Sequence, residues 1–135
     1  MKGNQVSIYT LKILQSMSEI IVVSTNYVPG HRVKEVKGAI WGITVRSRGI
    51  GGNLMAGIRS LAGGEIKEYV VMLNDARNLA MDRLKEEAQK VGANAVLDMK
   101  FDTSDIAQTM TEIVAYGTAA VVEPLSEKGQ AVSLS

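Results

Sequence analysis

The alternation of apolar and polar positions divides the chain into strand-like and helix-like segments. Residues 20–23, Ile20-Ile21-Val22-Val23, form a β-branched run that Ser24, Thr25 and Asn26 end. The pair Pro29-Gly30 suits a type II turn, because proline presets the first central residue and glycine accepts the positive φ of the second. A second strand is predicted over residues 33–46, where Val36, Ile40, Trp41, Ile43 and Val45 supply strand formers. Gly38 and Gly42 inside it mark a bulge or a close backbone approach, so this strand is expected to bend. Gly49, Gly51 and Gly52 loosen the chain before Asn53, a helix-capping residue. Leu54, Met55, Ile58, Leu61 and Ala62 then follow at helical spacing until Gly63-Gly64.

The clearest periodicity comes next. Tyr69, Leu73, Ala76, Ala80, Leu84, Ala88 and Val91 recur at three- and four-residue steps, with charged residues mostly elsewhere, which predicts a long amphipathic helix. Glu65 and Glu68 suit its positive end, Lys90 suits the other, and Gly92 is placed to take the left-handed conformation that closes it. Ala95, Leu97, Met99 and Phe101 alternate with Val96, Asp98, Lys100 and Asp102, the period of a strand with one apolar face. Residues 103–108 read as a loop. In the last strand, residues 109–122, Ile113, Ala115, Ala119 and Val121 point one way and Met110, Val114, Tyr116, Ala120 and Val122 the other, so both faces want burial. Pro124 closes it.

The order β-β-α-α-β-β predicts a two-layer α+β domain with both helices on one face of the sheet. The domain is assigned to residues 17–124, with residues 1–16 an N-terminal extension ahead of Met17 and residues 125–135 a frayed tail. Two helices cover one sheet face, yet the first and last strands are apolar on both. The second face needs a partner, and self-association through the sheet is the strongest inference from the pattern.

Composition narrows the chemistry. The 135 residues suit a single domain, since at this length roughly two thirds of the extended-chain surface can be buried. With no cysteine, disulfide scaffolds, thiol nucleophiles and thiolate metal sites are excluded. Fifteen basic against fourteen acidic residues give no general attraction to nucleic acid or anionic lipid. The uncharged run at residues 113–122 is half the roughly 20 apolar residues that span a bilayer. No cleavage pattern follows the first residues, so a cytoplasmic location is expected, with no nucleic-acid or membrane partner.

Several segments together resemble one family. NLMAGIRSLAGG at residues 53–64, the EIKEY that follows, Ala76-Arg77, EAQKVGANAV at 87–96 and EIVAYGTAAVV at 112–122 resemble the YbjQ (UPF0145) family, which is labelled heavy-metal-binding. The resemblance covers about residues 24–123. It implies a dodecin-like subunit assembled as a ring, commonly a β/α propeller-like homopentamer, and it brings no activity.

Candidate sites follow from residue chemistry. Soft metals want thiolate, thioether or imidazole, and the chain has one histidine. Met55, Met72, Met81 and Met99 lie at helix or strand positions where core filling explains them. For a divalent ion as cofactor the better candidates are Asp98 and Asp102, read as sharing a strand face that a ring could multiply, with Asp105 nearby; solvated strand carboxylates are the bland alternative. His31, beside the Pro29-Gly30 turn, reaches metal-binding number only through symmetry. For an anionic ligand, Arg46, Arg48 and Arg59 flank the glycines ahead of the first helix, although the spacing is neither a P-loop nor a dinucleotide fingerprint. Tyr116, Gly117 and Thr118 suit a ligand cavity or, by preference, a tight subunit contact. No nucleophile and base are paired by any motif, so the chain reads as a non-enzyme. The expected function is a homo-oligomeric binding protein holding a metal ion or small ligand at subunit interfaces; the alternative is a structural ring without a small-molecule site.

Overall fold

The computed structural model of the chain describes residues 7–12, 19–47 and 67–126. Its centre is a four-stranded sheet in the order β1-β3-β4-β2, formed by β1 (Ile21–Val22), β2 (His31–Ser47), β3 (Ala95–Ala107) and β4 (Met110–Pro124). One long helix, α1 (Lys67–Lys90), lies across one face, and residues 8–12 form a short helical segment. The mixed α+β architecture and the long helix follow the sequence pattern. The short helix read around residues 53–62 lies outside the described residues.

Several local expectations are met. Val28 O accepts from His31 N–H at 3.1 Å across Pro29-Gly30, and Gly30 has φ 73°, as a type II turn requires. Gly92, at φ 77°, ends α1: its N–H donates to Gln89 O and Ala93 N–H to Ala88 O, both at 3.0 Å, which is a Schellman closure. Gly38 sits at a register shift of β2 with φ 114°. Gly42 is the close approach: a Cβ there would collide with the backbone of Ala80 and Leu84 in α1.

The core lies between sheet and helix. Ala76, Ala80, Leu84 and Ala88, one turn apart, are fully buried and pack against Ile40, Val96, Ile113, Ala115 and Ala119. On the other face a smaller cluster joins Val28, Ala95, Leu97, Ala120 and Val122. β4 contributes to both clusters, as its doubly apolar pattern predicts. Asn94 fastens this end, its side-chain oxygen accepting from Val122 N–H and its amide donating to Val122 O, each at 2.8 Å.

Two expectations are corrected. Residues 103–107 are strand rather than loop: Thr103 pairs with Ile113 and Asp105 with Thr111, leaving Gln108-Thr109 as the turn before Met110. Pairing with β4 overrides the polar composition of this stretch. The strict alternation read through residues 95–102 also fails. Leu97 pairs with Thr118 but Lys100 with Tyr116, so one β3 residue is bulged out, and Asp98 carries the left-handed φ of 52°. Ala95 and Leu97 therefore face away from α1, whereas Val96, Met99 and Phe101 pack toward it.

Candidate functional site

The sheet face away from α1 carries the apolar surface that the sequence pattern left without a partner. β2 and β4 are registered Trp41 to Tyr116, Ile43 to Val114 and Val45 to Glu112. Their side chains share one face because successive residues alternate along each strand. Trp41 is 57% exposed and Tyr116 41%, with Val36, Ile43, Val45 and Met110 also exposed. These exposed apolar groups are gathered on one face of two paired strands rather than scattered singly.

β2 is also an edge strand, paired only with β4 among the described residues. Between this edge and α1 runs a groove of about 570 Å³ lined by Trp41, Ile43, Arg83, Glu86, Glu87 and Val91, among others. Arg83 Nη1 donates to Ile43 O at 2.6 Å, so one edge carbonyl is satisfied by a side chain. Glu87 accepts from Lys90 Nζ at 2.9 Å, and this hydrogen bond and charge hold the lysine pKa above its ordinary value.

The residues singled out from sequence are dispersed. His31 opens β2 opposite Pro124, and its Nδ1 is 2.9 Å from Pro29 O. Asp102 is opposite Val114, ten residues along β4 from that point, or about 30 Å at the rise of a strand. Asp98 occupies the bulge and Asp102 the regular strand beyond it, so the shared face inferred from alternation is interrupted. Asp102 Oδ1 accepts from Thr103 N–H at 2.9 Å. Asp105 accepts from Thr111 Oγ1 at 3.3 Å. Among the described residues no group of three or more His, Cys, Asp or Glu is placed to hold a metal ion. The described residues of a single copy therefore do not gather the donor set a soft metal needs.

Arg46 lies on the α1 side of β2, opposite Thr111; Arg48 and Arg59 lie outside the described residues. Gly117 has a reason within the chain: a Cβ there would stand 2.7 Å from Val96 Cγ1 and 2.8 Å from Leu97 O. Tyr116 faces outward, and Thr118 is half-buried opposite Ala39. Sequence reasoning missed the groove, the Trp41–Tyr116 pairing and the burial of Thr44, which is 2% exposed. Only the register of β2 against β4 brings out the second, and no local motif announces it.

Comparison with known proteins agrees with this architecture. The YbjQ family, described as "Putative heavy-metal-binding", matches residues 20–123. A UPF0145 protein of Thermoplasma acidophilum is 64% identical over 119 residues, covering 88% of this chain and all of that protein. One from Thermoplasma volcanium is 65% identical, covering 86% and 95%. A bacterial relative from Bradyrhizobium is 56% identical, covering 78% and 95%. Among solved structures, a protein of unknown function of the DUF74 family from Pediococcus pentosaceus matches with a TM-score of 0.52 at 15% identity, over 77% of this chain and 98% of that one. That likeness concerns the fold.

Proposed function

Because this chain belongs to the YbjQ (UPF0145) family, we propose that it acts as a cytoplasmic homo-oligomeric binding protein whose ligand site is completed only when copies assemble. The observation that carries the reading is the exposed apolar sheet face around Trp41, Ile43 and Tyr116. Water-exposed surface of that kind contributes roughly 25 cal/mol per Å² when buried, which favours covering it with a second copy. The adjoining edge of β2, which no other described strand covers, offers a neighbouring chain a strand to pair with. We take the assembly to be a closed ring, with five copies as the expectation the resemblance brings. The lack of cysteine suits residence in a reducing compartment.

Within this reading a divalent ion or small ligand is held where copies meet, since one copy does not gather enough donors among its described residues. That same deficit favours a second reading, a ring that presents a surface to other proteins and holds no metal.

Sedimentation velocity and light scattering at micromolar concentration test the assembly. A discrete oligomer is expected, and the double variant Trp41→Glu, Ile43→Lys should move the mass toward one copy; a stable wild-type monomer overturns the proposal. Native mass spectrometry with zinc separates the two readings. Saturable uptake lost in Asp102→Ala supports the metal site, and no uptake leaves the ring without one.

A further inference from the structure

We propose that Thr44 and Arg46, on the α1 side of β2, form a binding site for an oxyanion of the phosphate class. Thr44 is 2% exposed, and its Oγ1 is buried without a hydrogen-bond partner. Arg46 is half-buried, and its Nε is buried and likewise unpartnered. The two residues are two apart on one strand, so their side chains leave the same face of the sheet. Thr44 stands opposite Ile113 and Arg46 opposite Thr111, both buried members of β4. Two unsatisfied groups are thus neighbours on the α1 side of the sheet, and buried polar groups in native proteins are seldom left without partners.

The chemistry of the two groups selects the ligand. A guanidinium only donates and keeps its charge at any physiological pH. What is lacking is therefore an acceptor, and the charge of Arg46 favours an anionic one and disfavours a metal cation. Asp105, the carboxylate in the same row of the sheet, does not meet the need. It accepts from Thr111 Oγ1, its backbone lies two strands, about 10 Å, from that of Arg46, and Arg46 Nε has no partner with it in place. The Nε edge of an arginine takes two oxygens of an anion side by side. A phosphate gives the fork two oxygens and keeps a separate one for the Thr44 hydroxyl, whereas a carboxylate has to share one of its two oxygens between two donors. Arg77 adds positive potential on the same side of the sheet, its guanidinium 5.4 Å from the centre of the Phe101 ring. The half-exposed position of Arg46 lets the anion arrive from solvent. The site uses one chain and does not rest on the assembly reading.

The test uses the full chain and two probes, inorganic phosphate and glycerol 3-phosphate, at low ionic strength. NMR tuned to arginine side chains should show the Arg46 Nε–H resonance moving saturably with added probe, and the thermal midpoint should rise in parallel. Arg46→Gln should weaken binding by about tenfold or more, as expected for loss of charge-assisted hydrogen bonds. The isosteric Thr44→Val keeps the packing and should weaken it by about fivefold, the effect of one hydrogen bond. A stronger response to the ester assigns a phosphorylated metabolite, and an equal response assigns the free anion; either supports the site. No saturable shift with either probe overturns it, as does unchanged affinity in Thr44→Val, a result that stands even if Arg46→Gln does not fold. Sedimentation of the same samples keeps the two proposals apart: a monomer that binds phosphate defeats only the ring, and a ring that does not bind defeats only this site.

Discussion

Gly42 and Gly92 are both required by the structure, for different physical reasons, and the difference is measurable. At Gly42 the obstacle is a neighbour: an added Cβ meets the backbone of Ala80 and Leu84, and backbone cannot rotate aside as a side chain can. Gly42→Ala should force α1 away from the sheet and cost about 3 kcal/mol, at the upper end of overpacking effects. At Gly92 an added Cβ would meet nothing within 4 Å and only the φ of 77° resists a side chain, so Gly92→Ala should cost about 1 kcal/mol. Urea denaturation of the two variants reads this ranking, and equal losses would refute it. Asp98 is the converse case, a side chain where glycine would be easier, and Asp98→Gly should raise stability by a few tenths to about 1 kcal/mol. The sequence marked Gly38 and Gly42 as bulge or close approach without saying which was which. Asp98 gave no such signal, because a bulge without glycine looks like uninterrupted alternation. That is why alternation alone puts Asp98 and Asp102 on one face. The same limit hid Thr44, whose significance depends on burial rather than residue type.

In α1 the alanine stripe does the positioning. Ala76, Ala80 and Ala88 keep the buried face flat enough for the helix to approach Gly42, and Leu84 is the large side chain that fills the interval between them. Leu84→Ala should therefore leave a cavity and cost about 3 kcal/mol, within the range for fully buried leucines, as a shift of the denaturant midpoint with an unchanged slope. A changed slope would mean that the variant loses α1 docking altogether. This helix was legible because its period is long and unbroken over residues 67–90. The hairpin of β3 and β4 was less so. Residues 103–107 carry few apolar groups, and what makes them strand is hydrogen bonding to β4, a long-range partner that local composition cannot reveal. The doubly apolar pattern of β4 was readable because its two faces serve two different clusters.

Taken as one molecule, the chain has an imbalance between its two sheet faces that sets how its stability should respond to concentration. One face is closed by α1, while Trp41, Ile43, Val45 and Tyr116 stand exposed on the other beside the edge of β2. If copies cover that face, unfolding is coupled to dissociation, and mass action raises the stability of the folded form with protein concentration. The thermal midpoint should then climb across about a hundredfold range of concentration, whereas a monomer would show none. Trp41→Glu with Ile43→Lys should flatten the dependence as well as lower the midpoint, because taking charged side chains out of water at an apolar contact is costly even when they pair. Leu84→Ala, which weakens the interior of each copy, should lower the midpoint and leave the dependence in place. A wild-type midpoint indifferent to dilution would mean that each copy tolerates its apolar face in water, and the argument from an uncovered sheet to an assembly would fail at its first step.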